Sequence, residues 1–167
     1  MKKLFLLIVL SILLFNVSKA QTAWINYKID NKLSIKVPSE PAKTDEYSVT
    51  AQGTDTLVCV ISIIDLKKIA GIDSATLATM APTNEFTSSI KTGMLGKMEG
   101  YTLGDFKTSK WNGYYCYNVE GGNATTKVKL YTFMVIIGTN IYSLSAVMPD
   151  HRSTKDKDDF FASLALN

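Results

Sequence analysis

The stretch that most constrains this chain is Leu57-Val58-Cys59-Val60-Ile61-Ser62-Ile63-Ile64, apolar at every position but Ser62 and rich in β-branched residues. Such side chains fit a pleated strand better than a helix. Successive side chains of a strand point to opposite faces, so the run predicts a central strand with both faces out of water. A fold that contains it needs one layer above the sheet and another below.

The flanking patterns supply those layers. Leu33-Ser34-Ile35-Lys36-Val37 alternates apolar and polar, the period of a strand buried on one face, and Pro38 and Pro41 end it because neither can donate to a ladder. Residues 47–49 and 56–64 follow as strands, with Gln52-Gly53 between them. After Gly71 the period lengthens: Asp73 or Ser74 can cap a helix, and Pro82 divides the region. Phe86, Ile90, Met94 and Met98 then recur every four residues, one face of a second helix that starts near Thr83 or Asn84 and lies on the sheet. Gly93 and Gly96 each cost about 1 kcal/mol of helix propensity relative to Ala, which predicts a fraying last turn.

Beyond Gly100 the pattern returns to strands over 101–108, 114–120, 127–137 and 141–148. Their separators, Asn112-Gly113, Gly121-Gly122-Asn123 and Gly138-Thr139-Asn140, are turn residues that accept positive φ, so the connections predict antiparallel hairpins. Pro149 closes the last strand. Ser153 or Thr154 caps a final helix whose apolar face is Phe160, Phe161 and Leu164. The fold class is α+β, an antiparallel sheet with helices packed on its faces, in a single domain over 21–167.

The first twenty residues predict export. Lys2 and Lys3 precede an apolar run of about a dozen residues, too short for the roughly 20 that span a bilayer, and Ser18-Lys19-Ala20 sets small residues three and one positions before a cut after Ala20. That is a signal peptide over residues 1–20, and it predicts a periplasmic or secreted protein with no transmembrane span after its removal. The nearest cysteine to the cut is Cys59, which argues against a lipid anchor. Three of the 18 basic residues lie in the leader, and the remaining 15 balance the 15 acidic ones. A neutral mature chain gives no reason to expect nucleic acid as a partner.

Trp24, the first strand closing in Leu33-Ser-Ile-Lys-Val-Pro38-Ser-Glu-Pro41, a long helix, a three-strand meander and the terminal Asp159-Phe160-Phe161-Ala-Ser163 helix together resemble the PsbP-like superfamily over most of the mature chain. The resemblance implies an antiparallel sheet between helical layers. Familiar members are extrinsic subunits that bind and stabilise a photosynthetic membrane complex, and others bind a small GTPase. None of the shared motifs is catalytic, and fold alone does not carry either role over.

Candidate sites are few. His151 is the only histidine; it stands beside Asp150, with Asp156, Asp158 and Asp159 one or two helical turns on, a set that could hold a metal or, equally, a helix start with acids placed for the dipole. Cys59 and Cys116 read either as core thiols or as a bridge between neighbouring strands. The glycines at 93, 96, 100 and 104 do not follow a strand into a helix, so no phosphate cradle and no cofactor is expected. Asn123-Ala-Thr125 matches a glycosylation acceptor but reads first as a hairpin turn. Tyr114, Tyr115 and Tyr117 crowd one strand, with Tyr131 and Phe133 on the next and Tyr142 on the one after. Left exposed, these rings are a contact surface for protein or glycan; covered by a helix, they are core.

These features predict a non-enzymatic accessory module of the cell envelope with a protein partner, docking through sheet aromatics or the meander loops. The alternatives are a hydrolase or metal-dependent enzyme centred on His151, and a carrier that holds a small apolar ligand between the sheet and the methionine-bearing helix.

Overall fold

A computed structural model describes residues 24–53 and 56–167. The expected leader and residues 21–23 lie outside them. The central strand forms as the sequence predicts: β5 (Val58–Asp65) is flanked by β4 (Ser48–Gln52) and β10 (Asn140–Pro149), antiparallel to both. The meander continues from β10 to β9 (Val128–Ile137) and β8 (Tyr114–Asn123). With the short edge strand β3 (Ala42–Lys43) and with β6 (Thr102–Leu103) and β7 (Lys107–Trp111) both on β8, they make one eight-stranded antiparallel sheet.

The two faces of β5 differ, and the burial expected on both is met on one: Val58, Val60, Ser62 and Ile64 are only half-buried, whereas the other face joins a core. Cys59 and Ile61 share a core with Leu33, Ile35 and Val37, which line β2 (Leu33–Val37). That strand sits in a second sheet of order β1-β2-β11, with β1 spanning Ile25–Lys28 and β11 Ala165–Leu166. Phe160 completes this layer from α4 (Lys155–Ala162) and is wholly buried. At about 1.5–3 kcal/mol for each fully buried aliphatic side chain, the β2 face alone is a major part of the driving force.

The opposite face carries the helices. After α1 (Leu66–Ala70), capped by the Asp65 carboxylate, come α2 (Ser74–Met80) and α3 (Asn84–Leu95). Asp73 accepts the Thr76 amide at 2.8 Å, and Thr83 accepts that of Phe86 at 3.2 Å, so both predicted starts are capped by their own side chains. Leu77, Ala81 and Phe86 pack on Tyr117, Val119, Leu130 and Met134. Ile90, Met94 and Met98 join the same core, although α3 stops at Leu95 and Met98 lies in the turn beyond. The fold is α+β, with an antiparallel sheet covered on both faces.

Two sequence expectations change in detail. The single strand expected over 101–108 breaks into β6 and β7, because Phe106 turns in to pack edge-on against Tyr117, at 6.4 Å between centroids. β6 can approach β8 because Gly121 has no side chain; a Cβ there would run into the Thr102 carbonyl. The bridge considered for Cys59 and Cys116 does not form, and both are buried free thiols. They are not on neighbouring strands: β10 and β9 lie between β5 and β8, so the lateral gap is roughly 14 Å at strand spacing, against about 7 Å for a bridgeable pair.

Candidate recognition site

The tyrosines singled out from the sequence do not form one patch. Tyr142 faces the small sheet and is fully enclosed; its hydroxyl donates to Asp30 Oδ2 at 2.5 Å. Tyr131 lies on the same face, half-buried, with the Lys157 ammonium 4.6 Å from its ring centroid. Tyr117 points to the helical face, wholly buried, and its hydroxyl donates to the Ala81 carbonyl at 2.7 Å. Burial pushes the Tyr117 hydroxyl pKa well up, with the neighbouring Cys116 and Tyr115 adding to it, so Tyr117 is a neutral structural anchor that pins the α2–α3 junction to the sheet.

Tyr114 and Tyr115 remain, and the structure brings them to a cleft of about 250 Å³. The Asn112-Gly113 turn, with φ of +50° and +84°, is the two-residue hairpin type that demands such residues, and it delivers both tyrosines to the end of the sheet. Opposite them stand Ser74 and Ala78 of α2 and Ala81 just after it, with Ile136 as the floor. Small side chains on the helix keep the space open, and the Tyr117 bond to Ala81 fixes the wall. Tyr114 is 37% exposed and Tyr115 half-buried. Lys110, the cross-strand partner of Tyr115, holds its ammonium 4.8 Å from the Tyr115 ring centroid.

No acid, histidine, cysteine or lysine lines this cleft. Its hydroxyls are those of Ser74, Tyr114 and Tyr115, and no base stands among the lining residues beside them. At about 250 Å³ it is smaller than the roughly 300–1,000 Å³ of ordinary small-molecule sites, a size that suits one side chain or one ring. A second hollow of about 220 Å³ lies between β1 and β4, floored by Ile29, Val49, Ile61 and Ile63 and flanked by Tyr27 and Tyr47.

The His151 set is not gathered. His151 is 84% exposed with Nδ1 3.6 Å from Asp150, while Asp156 pairs with Arg152 at 2.7 Å, Asp158 with Lys157 and Asp159 with Lys155. Each acid of α4 is thus turned to a cation of its own segment. Cys59 is no better placed as a nucleophile: burial, with the Asp156 charge behind it, pushes its thiol up to about 12.

Sequence reasoning found the two cleft tyrosines but missed Lys110 and the α2 wall. The hairpin turn could have revealed Lys110, since two turn residues put position 110 opposite 115. No local signal says where α2 docks, because its small residues gain meaning only against the sheet.

No known family model matches the sequence, and no curated protein matches it. Among solved structures, a protein of Bacteroides thetaiotaomicron VPI-5482 aligns at 13% identity and TM-score 0.47 over 81% of this chain and 45% of its own, so this chain spans under half of that protein's length. The solution structure of cyanobacterial PsbP from Synechocystis sp. PCC 6803 aligns at 10% identity and TM-score 0.54, over 90% of this chain and 96% of its own. The likeness is one of fold, and by it the chain has the PsbP-like fold.

Proposed function

We propose that this protein is a non-enzymatic recognition module of the cell envelope, which docks a partner protein by seating one of its side chains between Tyr114, Tyr115 and the small residues of α2. The observation that carries this reading is a cleft bordered by exposed Tyr114 and half-buried Tyr115, with no carboxylate, histidine, cysteine or lysine among its described lining residues. Interface anchors are commonly aromatic and sit in small pockets near the centre of contact. Export rests on the leader sequence alone.

The test is a crosslinked pull-down of the tagged protein from its own host's envelope, with three variants side by side. Wild type and His151→Ala should capture the same dominant protein, and Tyr114→Ala/Tyr115→Ala should lose it. Loss with His151→Ala instead would favour the enzyme alternative and remove this proposal. A second reading, a carrier of a small apolar ligand, moves from the methionine-bearing helix, whose Phe86, Ile90, Met94 and Met98 belong to the packed core, to the hollow between β1 and β4, where four aliphatic floor residues lie beside Lys43, Asp45 and Glu46. Organic extraction of the purified protein tests it: a stoichiometric bound apolar molecule supports the carrier, and an empty extract ends it.

A further inference from the structure

The cleft runs on to a strand edge. β7 pairs with β8 on one side, and among the described residues nothing pairs with its other side. The Asn112-Gly113 turn determines which groups are left over. In a two-residue hairpin the flanking residues, here Trp111 and Tyr114, exchange both hydrogen bonds, and alternation turns the backbone of Ser109 and Lys107 inward as well. The N–H and C=O groups of Thr108 and Lys110 therefore face outward.

The chemistry of this edge is one-signed. Lys107, Thr108, Ser109 and Lys110 are all exposed, two of them cations, with no acid in the strand. Asp105, the nearest acid in sequence, is turned to Lys91 at 3.5 Å. Lysines on an edge disfavour pairing with a second copy of the same edge. An acidic strand meets the opposite sign. Lys110 of the edge also covers the ring of Tyr115, which lines the cleft, so that one contact joins the two.

We propose that β7 is a docking edge for an extended, acidic segment of the partner protein, which adds to the sheet as a strand, sets carboxylates beside Lys107 and Lys110, and passes one apolar side chain across Tyr115 into the cleft. The inference rests on the recognition reading above and names the chemistry of its partner. Main-chain pairing supplies the affinity of such strand addition, and the side-chain pocket supplies selectivity.

A random dodecapeptide display library selected on the purified protein tests it. Expected are peptides enriched in Asp and Glu around one apolar residue, which shift the amide signals of Thr108 and Lys110. Thr108→Pro removes an outward N–H without touching the β8 ladder, a place where an edge strand tolerates proline, and should weaken these peptides by about tenfold. Lys107→Glu/Lys110→Glu should weaken them as well, and keeps the test open should the proline variant fold poorly. Selected peptides without acidic enrichment, or undiminished binding to both variants, would overturn the proposal. Peptides that need Tyr114 and Tyr115 yet ignore Thr108→Pro and the lysine reversal overturn strand addition and leave the recognition reading standing. Peptides indifferent to all five positions overturn both.

Discussion

Tyr142 ties the two sheets together through one hydroxyl. It donates to Asp30 in the turn between β1 and β2 and accepts from Asn140 Nδ2 at 3.2 Å, while Asp30 also accepts the amides of Lys32 and Leu33. Burial raises the Asp30 pKa, but the bonds from Tyr142, Lys32 and Leu33 outweigh it and hold the carboxyl below its ordinary range. A lowered acid contributes stability that is present above its unfolded value, near 3.8, and lost as pH falls through the lower folded value. Burial and the Asp30 bond push Tyr142 up to about 12, so its contribution is full below about 10 and lost as pH rises toward 12. Tyr142→Phe keeps the ring and removes the bond. It should cost about 1.5–3 kcal/mol in denaturant unfolding at neutral pH and flatten both the acid and the alkaline limbs of the stability profile. An unchanged midpoint would make the contact incidental. Thiol labelling offers a second check at this scale: the folded protein should react at neither Cys59 nor Cys116, and the unfolded, unreduced protein at both.

At the scale of elements, β7 makes a pattern prediction. Its Lys107, Ser109 and Trp111 amides should exchange hydrogen slowly and those of Thr108 and Lys110 fast; uniform protection along the strand would mean the edge is already covered. The elements most legible from sequence were those with a single dominant period. β5 announced itself through an apolar run broken only by Ser62, β8 to β10 through alternation between turn residues, and α3 through its four-residue stripe and Thr83 cap. β1 and β11 were missed because neither carries a period: one is four mostly exposed residues, the other two, and both exist through pairing with β2. The tyrosines show the same limit within the site. Alternation told which rings share a face, but only the docking of α2 and α4 decided that Tyr117 and Tyr142 are core while Tyr114 and Tyr115 border a cleft.

Among the described residues the molecule is a sheet clamped between two unlike layers, and the C-terminal segment is drawn into one of them. β11 pairs with β2, the Lys36 amide donates to Ser163 Oγ at 2.9 Å, and Phe160 fills the space beneath. Phe160→Ala should therefore cost about 3–5 kcal/mol and loosen the entire small-sheet layer. A cooperative loss seen equally by far-ultraviolet and tryptophan signals is expected; a separate early transition would show the layer to be an independent unit. The cleft sits on the opposite, helical face, so this variant at permissive temperature should keep whatever partner the wild type binds. The central claim is that Tyr114 stands at a protein-recognition surface. A photo-crosslinking amino acid placed at Tyr114, with a matched one at exposed Glu85 on α3 as control, tests it in the envelope of the host cell. One discrete protein adduct from position 114 and none from position 85 is the expected result, and no adduct, or the same adducts from both positions, would contradict it.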